Sequence, residues 1–453
     1  MKPIFNVQEL VHDDSDVILV WEAIVSAAVR TKVSDIHVLA QKRGVDLAFR
    51  SDGDMRIQGT LAHEFARRLI NHVKTVSNID LAEYRRPGEG RMFMDLDGKT
   101  VDLRVCVLPT IHGQDVVVRV FDRSISLKTL DDLGMLPEQL NYAEDLISRP
   151  HGLILVCGAT GSGKTTSLYA MLNRLVGKSR KIMTIEDPVE YELEGVNQTQ
   201  VNGRIGVHFA TLLAAILRQD PDVIMIGEIR DEETAVTAVR AANTGSLVLA
   251  TTHATRASRA VETMLGLGVH PYFLAVSLRG VMAQLLVKRI CPHCRQALPD
   301  TQDIIVDPEI LARLKADEIE PQLYHGQGCA HCNGTGYHGR VGLFELFRPD
   351  DAIKQLILDR RPAAEIDRVA EAGHMLTLEQ SGKLAALKGL TTMEEVVDGL
   401  PMDAAPMPVP VETPPKLDVT MHSPKTTVRV HRATKTARAT RPRKITKGKR
   451  AKA

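Results

Sequence analysis

The chain is 453 residues long, enough for about three domains, and its apolar (44%) and charged (25%) fractions are those of a globular protein. No apolar run approaches the roughly 20 residues that span a bilayer, since the best candidate, 17–29, is interrupted by Glu22. Asp13, Asp14 and Asp16 stand where a secretory signal would be apolar, so the composition predicts a soluble cytoplasmic protein whose membrane contact is peripheral.

After an extension over 1–15, apolar positions at helical spacing predict a helix over 16–30. Strands are expected at 35–38, 45–50, 91–96, 101–108 and 115–121, with a helix over 61–76 between them. That is a small α+β domain over 16–121. A polar linker, 122–136, leads to Pro137, which starts a helix. From 137 to about 290 strands and helices alternate, the pattern of a parallel sheet covered on both faces.

Within that region a strand over 153–157 and a helix over 167–175 flank the run Gly158-Ala159-Thr160-Gly161-Ser162-Gly163-Lys164-Thr165-Thr166. This is the full phosphate-loop pattern. Its glycines let backbone N–H groups turn inward around a polyphosphate, Lys164 reaches the terminal phosphates, and the Thr165 hydroxyl can hold Mg²⁺. Three further segments follow. Residues 184–190, Thr-Ile-Glu-Asp-Pro-Val-Glu, end a strand in acids that include Glu186, and 222–228 is an apolar strand ending at Gly227 and Glu228. The strand over 247–250 opens into Thr251-Thr252-His253, where the histidine is placed to sense the γ-phosphate or to serve a structural role.

Of six cysteines, Cys106 and Cys157 read as small buried hydrophobes. Cys291-x-x-Cys294 and Cys329-x-x-Cys332 have the spacing of two knuckles around one tetrahedral ion, separated by an insertion, and predict a structural zinc module over 291–345; a redox pair is the competing reading. Short helices follow over 346–400. Residues 401–424 hold seven prolines, and 421–453 carry twelve Lys or Arg without one Asp or Glu, against 45 basic and 56 acidic residues in the rest of the chain. A proline-rich linker and a disordered basic tail are expected over 401–453, the tail drawn to anionic lipid or nucleic acid, or simply solvated.

Together these segments resemble the type II secretion and type IV pilus assembly ATPases over about 16–400. The matches are the phosphate loop, TIEDPVE at 184–190, LRQDPDVIMIGEIRD at 217–231, the segment from Thr244 to His253, and CPHC with CAHCNGTGYHGR. The resemblance implies a RecA-like α/β nucleotide-binding domain joined to the smaller α+β domain, and Mg²⁺-dependent hydrolysis of ATP by a homo-hexamer. It implies Glu186 as the group polarising the attacking water and Glu228 as the metal-side carboxylate beside Thr165, an assignment that can also run in reverse. SDIHV at 34–38 and LRVCVLPTIHGQDVVVRVFDR at 103–123 look like the family's arginine-bearing domain. Arg104 and Arg119 match the arginines that reach the phosphates on domain closure, with solvent-facing strand arginines as the alternative.

The implied function is a motor at the cytoplasmic face of a bacterial inner membrane that powers assembly of a type IV pilus or a type II secretion pseudopilus. Its partner would be a membrane platform protein, and pilin or pseudopilin subunits its load. A pilus retraction motor and a nucleic-acid-associated ATPase are the alternatives; retraction relatives usually lack the cysteine module, and the tail lacks aromatics for base stacking. The chain departs from the family pattern at Ser246, at Ala254-Thr255-Arg256 and at Leu285, which predicts slow turnover. It begins almost directly at the arginine-bearing domain, so docking is expected to differ from the family's or to use the tail.

Overall fold

The computed structural model describes residues 5–11, 15–51, 53–96, 98–122, 128–298 and 308–401. The expected basic tail lies outside them. Asp16 opens the first helix, α1 (Val17–Arg30), by accepting the Ile18 N–H at 2.8 Å. Val20, Trp21, Ile24, Val25 and Ala28 recur at helical spacing and are buried. There follow β1 (Asp35–Gln41), β2 (Gly44–Ser51), β3 (Asp54–Leu61), α2 (His63–Val76), β4 (Gly88–Leu96), β5 (Lys99–Thr110) and β6 (Gly113–Asp122). The strands form one antiparallel sheet in the order β3-β2-β1-β6-β5-β4, and α1 and α2 share a core with it.

The second sheet is built from α3 (Pro137–Ser148), β7 (Gly152–Cys157), α4 (Lys164–Leu175), β8 (Ile182–Glu186), β9 (Asn197–Gln200), α5 (Phe209–Ile216), β10 (Val223–Ile226), α6 (Glu232–Thr244), β11 (Leu247–Thr252), α7 (Ala257–Gly266), α8 (Pro271–Ser277) and β12 (Leu278–Ile290). Its central strands are buried on both faces, which is why they read as unbroken apolar runs. In β7, Leu153, Leu155 and Cys157 enter one core while Ile154 and Val156 enter the other. β10 and β11 alternate between the same two cores.

β13 (Arg295–Ala297), α9 (Pro308–Ala316) and β14 (Tyr324–Gly326) belong to the insertion that carries the cysteines, and β15 (Tyr337–Phe347) returns from it. β15 pairs antiparallel with β12, completing a seven-stranded sheet in the order β15-β12-β7-β11-β10-β8-β9. The boundary expected at 345 therefore cuts through a strand of the main sheet. The cysteine module is an excursion between two neighbouring strands. α9 is seated by Ile310 and Leu314 against Leu376, Leu384 and Leu387. The last helices, α10 (Asp351–Leu358), α11 (Ala363–Ala372), α12 (Leu378–Leu387) and α13 (Met393–Gly399), pack near this edge. No helix among the described residues is long and apolar enough to cross a membrane.

Candidate active site

Parallel pairing brings the carboxyl ends of β7, β8, β10 and β11 to one end of the sheet, the place where α/β folds bind ligands. The loop after β7 turns through Gly158 (φ +148°), Gly161 (+79°) and Gly163 (+88°) before Lys164 starts α4. A Cβ on Gly158 would stand 2.4 Å from the Gln284 carbonyl oxygen, so only glycine lets the loop lie this close to β12. The Ser162 hydroxyl is buried there without a hydrogen-bond partner among the described residues. Lys164 Nζ donates to the carbonyls of Gly158 (2.8 Å) and Ala159 (3.0 Å), folded back over its own loop. Burial lowers the pKa of its ammonium, and the charge of Glu228 opposes the effect. Glycine cradle, lysine and buried hydroxyl suit a polyphosphate.

Glu228 follows β10, beyond the Gly227 N–H that donates to the Ile185 carbonyl at 2.7 Å. Its carboxylate contacts His253 Nε2 and the Arg230 guanidinium, so the expected grouping of Glu228, His253 and the phosphate loop is present. Glu186 is placed otherwise. It is 2% exposed, and its carboxylate accepts the Tyr169 hydroxyl on one oxygen, the Thr184 hydroxyl (2.6 Å) and the Gln198 amide (3.0 Å) on the other. Three donors fix it on the inside of the acidic turn. Asp187 is exposed at the rim, and Glu190 is half-buried and faces the first domain.

From that domain Arg104 reaches across. Its guanidinium lies 3.1 Å from the Glu190 carboxylate and donates to the Val189 carbonyl at 2.8 Å. A second ionic contact, Lys288 to Asp54 at 2.9 Å, joins the same two domains. Arg119 does not share this contact: its Nε donates to Asp35 at 3.0 Å within its own sheet, and Glu190 feels it only through its charge. Ser246 precedes β11 and donates to the Pro221 carbonyl at 3.0 Å. It lies at the end of the sheet away from the phosphate loop, by about 17 Å over five residues of strand. At that distance Ser246 does not reach the phosphate loop of its own chain. Leu285 packs on the core beside Gly399, and Arg256 forms ion pairs with Glu345, Asp367 and Glu371.

The four thiols predicted as a cluster do converge. Cys291 and Cys329 sulfurs are 3.9 Å apart, those of Cys294 and Cys332 3.8 Å, and those of Cys329 and Cys332 3.7 Å. A tetrahedron of thiolates about 2.3 Å from zinc has edges of about 3.8 Å, so the donor set fits that ion. Backbone N–H groups of Cys329 and Gly336 point at the Cys332 sulfur (3.2 and 3.3 Å), which suits a thiolate.

The type II/IV secretion system protein family matches residues 11–398. The chain belongs to that family. It is similar to type II secretion system protein E of Klebsiella pneumoniae, 44% identical over 386 residues that cover 85% of this chain and 76% of that protein. Similarity to the type IV pilus assembly ATPase PilB of Thermus thermophilus is 41% over 377 residues, 83% of this chain and 42% of that one. Among solved structures, the pilus retraction motor PilT with bound ADP matches with 26% identity and a TM-score of 0.56, covering 84% of this chain and 96% of PilT. DotB of Legionella pneumophila, at 17% identity, TM-score 0.63 and coverage of 85% and 96%, shows the shared α/β ATPase fold. As a member of this family, the chain is a secretion or pilus ATPase motor.

Sequence reasoning missed the residues that hold the family's acidic segment in place here. Tyr169 reads as one more core position of α4, and Gln198 sits in a short polar strand without a motif. The one signal for Gln198 is that β9 is the next strand after the acidic turn and pairs with β8.

Proposed function

We propose that this motor hydrolyses Mg-ATP as a homo-hexamer and drives assembly of a type IV pilus or a type II secretion pseudopilus, bearing on a platform protein at the inner membrane. The observation that carries the reading is that the phosphate-loop lysine, Glu228 and His253 gather at one end of the parallel sheet, with Arg104 reaching the neighbouring acidic turn from a second domain. The backbone of 158–166 cradles the phosphates, and Lys164 leaves its loop carbonyls for them. The Thr165 hydroxyl would hold Mg²⁺, which when bound would neutralise charge on the phosphate oxygens.

Of the two carboxylates, the burial of Glu186 and its three protein donors support moving the water-activating role from it to Glu228. Glu228 orients the attacking water, and Glu186 anchors the acidic turn from within. Arg104, with Arg119 behind it, delivers positive charge to the γ-phosphate when the domains close, which ties chemistry to domain position. The four cysteines hold one structural zinc, and the basic tail recruits the motor to an anionic membrane surface.

The test is a pair of substitutions. Glu228→Gln is expected to bind ATP as wild type does and to lose at least about a hundredfold in turnover, while Glu186→Gln loses about tenfold. If Glu186→Gln stops hydrolysis and loses more than Glu228→Gln does, the assignment implied by the resemblance stands instead.

A further inference from the structure

α4 begins at the phosphate-loop lysine, so anything rigidly attached to it moves with the bound phosphates. Tyr169, less than two turns further along, is 1% exposed and its ring packs in the core with Leu168 and Leu172. Its hydroxyl has polar partners on three sides. It donates to Glu186, accepts the backbone N–H of Glu190 at 3.2 Å, and lies 3.5 Å from the Gln198 amide. One oxygen thus touches the last residue of β8, the far end of the acidic turn and the neighbouring strand. Burial raises the Tyr169 phenol far above its ordinary pKa, with the Glu186 bond adding to the effect, so the group stays a neutral donor.

The cost of this arrangement points to a task. A buried hydroxyl and a buried carboxylate are expensive unless they satisfy each other, and a phenylalanine facing an apolar residue would fill the same space at less risk. What the polar pair adds is direction: it fixes the turn 187–190 against the phosphate-loop helix through two bonds at its two ends. The turn is also the element that Arg104 grips from the first domain.

We infer that Tyr169 is a positioning residue for hydrolysis, whose hydroxyl, acting with Glu186, locks the acidic turn to the phosphate-loop helix so that nucleotide, turn and arginine-bearing domain stay in register. This rests on the ATPase reading above. Tyr169 touches no substrate. Its effect passes through Glu186 and the Glu190 backbone, so its loss disturbs geometry in the transition state more than nucleotide affinity.

The experiment is a double-mutant cycle on the full chain, with steady-state kcat and KM for Mg-ATP. Tyr169→Phe keeps the ring and removes only the oxygen; kcat is expected to fall about tenfold, with KM for ATP within about twofold of wild type. Glu186→Gln should cost about as much, and the double variant no more than the worse single one, because both break one unit. Thr184→Val, which removes another donor to Glu186, should lower kcat in the same direction, and it tests the idea even if Tyr169→Phe fails to fold. Wild-type turnover in Tyr169→Phe, or losses that multiply in the double variant, would overturn the inference while leaving the ATPase reading in place. An inactive wild-type protein would instead count against the ATPase reading itself.

Discussion

Replacing Arg104 by alanine tests the contact between the two domains and the chemistry together. Its guanidinium is 3.1 Å from Glu190, and the two side chains are 21% and 28% exposed. Two unit charges at that distance attract by about 5 kcal/mol at an effective dielectric constant of 20. Desolvation cancels much of this, and a hydrogen bond to a charged group is worth about 1.5–3 kcal/mol net, so the variant should lose about 1–3 kcal/mol of stability without nucleotide. The loss should depend on pH. Burial raises the pKa of Glu190 and Arg104 counteracts that, so the variant lifts it further above its unfolded value. A folded state that binds its proton more tightly than the unfolded one gains stability as the pH falls, so the deficit should be largest at neutral pH and shrink as the pH drops through the raised folded value. Urea melts between pH 7.5 and 5 measure this, and steady-state kinetics should show turnover down by about a hundredfold with little change in ATP affinity. Unchanged stability at neutral pH together with unchanged turnover would refute the reasoning.

Elemental analysis of purified protein should find about one zinc per chain; Cys291→Ser should lose the metal and lower the melting temperature, whereas four thiols without metal would favour the redox reading. Gly158→Ala puts a methyl 2.4 Å from the Gln284 carbonyl oxygen in a positive-φ position, so nucleotide binding should be lost with a measurable fall in stability; an alanine variant that binds ATP normally would contradict the tight loop. Truncation after Leu400 should leave ATP hydrolysis in solution near wild type and abolish salt-sensitive cosedimentation with anionic liposomes. If the full chain ignores such liposomes and shifts DNA at physiological salt instead, the tail serves nucleic acid.

Much of this molecule was legible because its signals are local. The phosphate loop needs glycines at fixed places, and the central strands bury both faces, so β7, β10 and β11 stand out as apolar runs. β3 is not legible in the sequence because it is an edge strand that exposes Met55 and Ile57 and is interrupted by Gly59, leaving no clean alternation. β15 falls largely within the expected cysteine module, because nothing in its sequence says that it pairs with β12 across nearly fifty intervening residues. The site shows the same division. Glu228 and His253 meet because each ends a strand of known order, whereas the burial of Glu186 depends on Tyr169 and Gln198, whose convergence only the packed fold reveals. Arg104 and Arg119 pair side by side on β5 and β6, and the sequence could not show that one would grip the acidic turn while the other is held by Asp35.

The central claim, that this site hydrolyses Mg-ATP, is tested most directly by phosphate release from purified full-length protein, with and without EDTA, beside a Lys164→Ala variant. We expect release that stops when EDTA removes the metal and is absent in Lys164→Ala, whose ATP binding is also lost. Release that persists in both, or wild-type protein that binds ATP but releases no phosphate, would contradict the account.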